Sequence, residues 1–129
     1  MPGNYKKGYR GENELVHMLA KKGFMVMRAP RSGRINLPSP DVIAVKSGKV
    51  YAVECKSRKN GFKVPAEQLE ELLQWEKIGG SETYVAWKIA YKGWFFIPLK
   101  KVMENNGNVG KGFCAENGKP FDEIFGGEK

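Results

Sequence analysis

The feature that most constrains the fold is a pair of β-rich runs separated by only four residues. The runs occupy positions 41–45 and 50–56, and the tetrapeptide KSGK at 46–49 has the length and composition of a hairpin turn. If Lys46 opposes Lys49, counting back along both strands places Asp41 directly opposite Glu54. The sequence therefore predicts an antiparallel pair with two carboxylates facing each other across it.

Two like charges at opposed positions need a partner. Opposed residues have Cβ atoms about 4.5 to 5.5 Å apart, and carboxylates at that distance repel unless a proton or a cation lies between them. Because successive side chains alternate between faces, Lys56 lies on the face of Glu54, whereas Cys55 points to the other face. We expect Asp41, Glu54 and Lys56 to form one cluster that a divalent cation neutralises.

A third carboxylate joins this cluster from a first helix, predicted over about 9–22. Glu12 lies on the apolar stripe of that helix, which must face the sheet and consists of Leu15, Val16 and Leu19. Glu14 is about 200° around the helix from Glu12. We expect Glu14 to be solvated, with Arg10 as a possible surface partner, and we exclude it from the site.

The cation that suits these ligands is Mg²⁺, which is hard, octahedral and satisfied by two or three carboxylate oxygens together with water. The chain has one His and two Cys without a CxxC pair, so no zinc site is indicated. A metal-bound water attacks phosphodiesters, and Lys56 can orient that water or stabilise the transition state. The alternative is a surface ion pair between Glu54 and Lys56. The opposed Asp41 and the helical Glu12 favour a nuclease.

Basic charge is concentrated in one half of the chain. Residues 1–64 hold 14 basic and 4 acidic side chains, and residues 65–129 hold 8 and 10. Such asymmetry is typical of a phosphate-binding surface, although it can also serve solubility alone. A proline-rich loop at 29–40 is expected to close over nucleic acid. The side chains expected to contact DNA are Lys6, Lys7, Arg31, Arg34, Arg58 and Lys59.

The order of elements predicts an α/β fold with a central mixed five-stranded sheet flanked by helices. A helix follows Pro65, and two further strands are expected at 83–89 and 94–97. We expect one domain over 1–129, with a core at about 5–100 and a Gly/Asn-rich C-terminal segment at 101–129 that has one helical turn near 99–104. No apolar run approaches the roughly 18 residues that span a membrane, and no signal peptide is apparent, so we expect a cytoplasmic protein.

Seven aromatic residues in the second half could stack on bases. We expect them instead in the core and at a subunit interface, because aromatic residues are enriched at buried interfaces. They are Trp75, Tyr84, Trp87, Tyr91, Trp94, Phe95 and Phe96. The expected subunit interface lies on the predicted helix at 65–78, with Leu69, Leu72 and Trp75, and on the strands around Trp87 and Trp94. Gln68 is expected to touch the site as a polar neighbour.

The pattern formed by Glu12, Pro40-Asp41 and Glu54-x-Lys56 resembles the signature of the restriction-endonuclease-like nucleases. In those nucleases a PD-(D/E)xK motif is preceded in the sequence by a glutamate on a helix. The stretches KKGYRGENELVHMLAKKGF, RAPRSG, PDVIAVKSGKVYAVECKSRK and YVAWKIAYKGWFFIPL are similar to the archaeal Holliday junction resolvase family, Hjc, over about 5–100. A bacterial family of small nucleases has Gly-Glu-Ile-Asp where this chain has Pro-Ser-Pro-Asp at 38–41, and this difference favours the archaeal family.

The resemblance implies Mg²⁺-dependent cleavage of four-way DNA junctions by paired nicks during recombination and repair, with Mn²⁺ expected to substitute. It implies metal ligation by Glu12, Asp41 and Glu54, and catalysis by Lys56. It further implies that Ser32 approaches the scissile phosphate and that two arginines bind DNA. Those arginines are Arg10 and Arg28.

The resemblance also implies a homodimer and a possible sliding-clamp partner. Four-way specificity rests on the resemblance alone, because the charge pattern and the metal site would serve linear duplex, flaps or RNA equally well. A nuclease acting on other DNA structures and a non-catalytic nucleic-acid-binding module therefore stay open as alternatives.

Overall fold

The computed structural model describes residues 2–29 and 37–126, with the backbone alone for residues 2–10. The helices are α1 (Pro2–Lys21), α2 (Ala66–Lys77), α3 (Leu99–Glu104), α4 (Lys111–Asn117) and α5 (Phe121–Phe125). The strands are β1 (Met25–Arg28), β2 (Val42–Lys46), β3 (Lys49–Lys56), β4 (Phe62–Lys63), β5 (Glu82–Ile89), β6 (Gly93–Pro98), β7 (Asn108–Val109) and β8 (Lys119–Pro120). Within these ranges, no helix is long and apolar enough to cross a membrane.

Six strands of the described chain form one mixed sheet in the order β1-β2-β3-β5-β6-β8. The pairing of β3 with β5 is parallel, and the other neighbours are antiparallel. The expected count of five strands was wrong by one, because the short strand β8 adds to the edge of β6. A two-residue strand that ends in proline carries no period-two pattern and can pair only at an edge.

The β2–β3 hairpin has the predicted register. Lys46 pairs with Lys49 and Val42 pairs with Val53, so Asp41, directly before β2, lies at the level of Glu54. The two turn residues have positive φ, 51° at Ser47 and 81° at Gly48, as in the tight turns that match strand twist. The local turn therefore fixes which carboxylates meet.

Helices cover both faces of the sheet. Against α1 lies a cluster that includes Leu15, Leu19, Val42, Val53 and Phe96. On the other face, α2 and α3 contribute to a cluster that includes Leu69, Leu72, Val85, Trp87 and Ile97. The two clusters enclose the central strands β3 and β5, on which the site residues lie.

Most of the apolar residues expected at the subunit interface pack inside the chain. Leu69, Leu72, Trp87 and Trp94 are buried within the chain's own two clusters, with at most 6% of each exposed. Trp75 is half-buried, and its indole N–H donates to the carbonyl of Pro38 at 3.1 Å. The sequence pattern placed these apolar residues on common faces of their helix and strands. It could not show whether such a face packs inside the chain or against a second subunit.

The segment after residue 100 belongs to the core. Its buried apolar side chains are Val102, Val109, Cys114, Phe121 and Phe125. The ring of Phe125 packs edge-on at 5.5 Å from Phe24, 5.1 Å from Tyr51 and 5.2 Å from Phe96, measured between ring centroids. The last helix thereby packs against the face of the sheet that α1 also covers.

Candidate metal and nucleic-acid site

Asp41 is held against the end of β3 by a backbone contact. It is half-buried, and its Oδ2 accepts a hydrogen bond from the Cys55 N–H at 2.8 Å. Since Cys55 follows Glu54, this bond fixes the Asp41 carboxylate beside the position where Glu54 leaves the strand. The opposition predicted from the turn is therefore confirmed by geometry.

Glu54 is almost fully buried, with 6% of its surface exposed. Its Oε2 accepts a hydrogen bond from Nε2 of Gln68 at 2.8 Å, so α2 contributes a polar neighbour as predicted. Burial, and next the negative charge of Asp41, raise the pKa of Glu54 from its ordinary value of 4.5 to about 8. Lys56 and the Gln68 hydrogen bond act in the opposite direction on this pKa, whereas Glu12 raises it. The four charged groups are thus within electrostatic reach of one another.

Glu12 reaches the same region from α1. Only 3% of its surface is exposed, as expected for a residue on the stripe that faces the sheet. Arg28, at the end of β1, places its Nε 3.8 Å from Oε1 of Glu12 and donates from Nη1 to Oδ1 of Asn13 at 3.4 Å. Arg28, which the resemblance connects with DNA, therefore lies next to a buried carboxylate.

The donor chemistry fits a divalent cation. Within the described ranges, no three His, Cys, Asp or Glu side chains are drawn together closely enough to hold a metal. Glu12 and Glu54 are nonetheless buried carboxylates in a region of mutual repulsion, with Asp41 beside them. Hard oxygen donors of this kind suit Mg²⁺, and a cation would relieve the repulsion that raises the Glu54 pKa.

A basic groove of about 860 Å³ is lined by residues that are next to this cluster in the sequence, and also by Glu14. Gly11 and Asn13, on either side of Glu12, lie in its wall, and so does Ser57, which follows Lys56. The positively charged residues of the wall come from three parts of the chain: Arg58 and Lys59 after β3, Lys88 on β5, and Lys111 on α4. A groove of this charge suits a phosphate backbone.

Sequence reasoning missed two of these cations. Lys88 and Lys111 lie in the half of the chain with balanced charge, and only the fold brings them to the groove. Lys88 forms an ion pair with Glu14, for which the sequence suggested Arg10 as partner. Because successive side chains of a strand point to opposite faces, the buried Trp87 on β5 implies that Lys88 points to the other face of the sheet. This alternation was the one sequence signal for the position of Lys88.

Several predicted residues cannot be placed. Ser32, Arg31 and Arg34 fall outside the described residues. Lys6, Lys7 and Arg10 lie on α1, where the structure describes only their backbone. The roles proposed for these six residues stay predictions. His17, the one histidine of the chain, is exposed on α1.

A mixed sheet flanked by helices, with a PD-ExK carboxylate cluster at the end of its central hairpin, defines a nuclease of the restriction-endonuclease-like class. The family described as archaeal Holliday junction resolvase (Hjc) matches residues 3–128. The chain belongs to this family.

Relatives agree over nearly the whole chain. It is 40% identical over 126 residues to the crossover junction endodeoxyribonuclease Hjc of Sulfolobus acidocaldarius, covering 94% of this chain and 87% of that protein. It is 33% identical over 130 residues to the protein of the same name from Archaeoglobus fulgidus, covering 93% and 96%. The solved structure of Archaeoglobus fulgidus Hjc, a Holliday junction resolvase, matches with a TM-score of 0.81 at 28% identity, covering 91% of this chain and 98% of that one.

Proposed function

We propose that this chain is a structure-specific endonuclease that binds four-way DNA junctions and resolves them by paired, Mg²⁺-dependent hydrolysis of phosphodiester bonds in recombination and repair. The observation that carries the proposal is the buried pair Glu12 and Glu54, with Asp41 and Lys56 beside them. A basic groove lined by their sequence neighbours supports it. The relatives' printed name, crossover junction endodeoxyribonuclease, supplies the branched substrate.

In this proposal Glu12, Asp41 and Glu54 hold Mg²⁺, for which Mn²⁺ substitutes. When bound, such a cation lowers the pKa of a bound water and neutralises charge on the phosphate. Gln68 keeps the Glu54 carboxylate in one orientation through its 2.8 Å hydrogen bond. Lys56 contributes a positive charge that stabilises the transition state as water oxygen bonds to phosphorus and the bond to the leaving sugar oxygen breaks.

The proposal includes a homodimer, because a four-way junction has two-fold symmetry and needs two opposed nicks. A C2 dimer supplies two sites with matching symmetry. Of the helix first expected at the interface, Ile78 at the end of α2 is 83% exposed and remains available for contact. The proposal also includes a sliding clamp as a further partner. It includes a cytoplasmic location, where the chain would meet DNA.

The experiment that tests this function compares labelled four-way, three-way and linear DNA of the same arm sequences, with Mg²⁺ and with EDTA. We expect paired nicks in the four-way junction alone and in Mg²⁺ alone. Lys56→Ala should bind the junction without cleaving it, because it removes only transition-state stabilisation. Lys49→Ala is the matched control, since Lys49 lies at the other end of β3 in a surface ion pair with Glu82.

Each other outcome selects an alternative. Equal cleavage of linear and three-way DNA would indicate a nuclease for other DNA structures. Junction binding without cleavage in either Mg²⁺ or Mn²⁺ would indicate a non-catalytic binding module. Equal loss of cleavage in Lys49→Ala and Lys56→Ala would contradict the role given to Lys56.

A further inference from the structure

The turn between β5 and β6 carries an aromatic side chain in full contact with solvent. Tyr91 has a relative exposure of 107% and is the one large aromatic residue so exposed among the side chains that the structure describes. The other candidates for base stacking are buried or half-buried, including Tyr84, Trp87 and Trp94. Tyr91 thus differs from the other six aromatic residues that were expected in the core and at a subunit interface.

The backbone at Tyr91 is one that a bulky residue rarely adopts. The Lys92 N–H donates to the Ile89 carbonyl at 3.0 Å and closes a four-residue turn, in which Tyr91 is the third residue with a φ of 65°. Turns with positive φ at this position favour Gly or Asn. A tyrosine here is both strained and unpacked, so neither local conformation nor the core accounts for it.

The turn adjoins the basic groove. Ile89 and Ala90, the two residues before Tyr91, line it together with Arg58, Lys59, Lys88 and Lys111. Lys56 pairs with Trp87 and Glu54 with Val85, so β5 runs past the site toward this turn. The four steps along the strand from Val85 to Ile89 span about 13 Å at the rise of a β-strand. A nucleic-acid strand that follows β5 would therefore run from the level of Glu54 to the neighbourhood of Tyr91.

Accepting the proposed function, we propose that Tyr91 stacks on a nucleobase exposed at the branch point of the junction while the groove cations contact the flanking phosphates. Stacking is tolerant of sequence because every base has a π-face, and it needs a base whose face is accessible. Continuous duplex buries those faces, whereas a branch point interrupts the stack. Tyr91 would thus favour branched over linear DNA without reading sequence.

The test is photo-crosslinking in EDTA with four-way junctions that carry 5-iodouracil either at the branch point or in the middle of an arm. We expect a crosslink at the branch point that mass spectrometry maps to Tyr91. Tyr91→Phe should keep the crosslink, because the ring remains. Tyr91→Asn, which suits the turn better and lacks the ring, should lose it and lower the preference for junction over duplex by about tenfold.

Met25→Ala is the matched control, because Met25 is 76% exposed on β1 at the end of the sheet remote from Asp41. This variant should retain the crosslink and the preference. A crosslink that maps elsewhere, or an unchanged preference in Tyr91→Asn, would overturn the role of Tyr91 even if the junction is bound and cleaved. Failure of the native chain to prefer junctions at all would instead refute the proposed function.

Discussion

Glu54 shows how a single residue can serve a site at a cost to the fold. It is buried beside two other carboxylates, and burial together with Asp41 raises its pKa to about 8. In the unfolded chain this carboxyl ionises near 4.5. Between these two pH values the folded state binds more protons than the unfolded state, so rising pH lowers the free energy of unfolding through this group.

The first prediction concerns Glu54→Gln. The amide keeps an acceptor for Gln68 and removes the buried charge, so cleavage should be lost while the metal-free protein gains stability. The gain should be small at pH 5 and grow toward pH 8.5, as the sign of the pKa shift requires. Urea midpoints in EDTA at both pH values measure it, with exposed Glu70→Gln as control. A variant less stable than the native chain at pH 8.5 would contradict the prediction.

The second prediction concerns Gln68→Leu. Gln68 donates the 2.8 Å hydrogen bond that orients Glu54, and loss of such a neighbour lowers metal affinity by roughly 10- to 100-fold. Titration of Mn²⁺ followed by electron paramagnetic resonance measures this affinity without turnover. Gln74→Leu, an exposed change on the same helix, should leave the affinity unchanged. Equal affinities for Gln68→Leu and the native chain would exclude the positioning role.

Residues whose partners are set by a local turn could be predicted from sequence. The opposition of Asp41 and Glu54 follows from four turn residues, and the inward direction of Glu12 follows from helical periodicity. Lys88 and Lys111 could not be predicted, because their positions in the groove depend on how β5 and α4 pack in three dimensions. The positions of the acidic residues therefore follow from local sequence patterns. The positions of Lys88 and Lys111 in the groove do not.

At the scale of elements, the C-terminal segment differs most from expectation. The helix α3 lies at 99–104 as predicted, but the helices α4 and α5 and the strands β7 and β8, of two to seven residues each, were not expected. Elements this short contain at most two turns, so their apolar residues do not repeat often enough to reveal a period. The sequence predicted the elements β2, β3, α2 and β5 to within one or two residues. The helix α1, predicted from about residue 9, begins at Pro2, and no pattern indicated that α5 completes an aromatic cluster.

The third prediction tests that cluster. Phe125→Ala removes a buried ring that contacts Phe24, Tyr51 and Phe96, and we expect the free energy of unfolding to fall by about 3 kcal/mol. Asp122→Ala on the same helix is the control. It removes only an exposed ion pair with Lys22, so its effect should stay below about 1 kcal/mol. Chemical denaturation measures both, and similar losses in the two variants would mean that α5 adds no core packing.

At the scale of the whole molecule, the distribution of charge constrains how two copies can meet. The carboxylate cluster and the basic groove must stay open to DNA, and two strongly basic surfaces repel each other. The exposed apolar side chain of Ile78 lies at the end of α2, in the half of the sequence with balanced charge. Association there would leave both grooves free.

The fourth prediction is that Ile78→Glu separates the dimer. Sedimentation in moderate salt should give about 29 kDa for the native chain, twice the chain mass expected of a closed pair, and 14.5 kDa for the variant. Paired nicking should decline to single nicks. Met25→Glu places a charge on the other exposed apolar surface, on β1. If Met25→Glu dissociates the dimer and Ile78→Glu does not, the interface lies on β1.

The hairpin also has a consequence for the order of folding. Its strands β2 and β3 are closed by two turn residues, whereas the parallel partner β5 begins 26 positions after β3 ends, at Glu82. Closing a short loop costs less entropy and is faster than closing a long one. Asp41 and Glu54 can therefore meet while water still surrounds them, and α2 then covers an acidic pair that is already assembled. Two of the three proposed metal ligands can thus be opposed before the helices that supply Glu12 and Gln68 have packed against them.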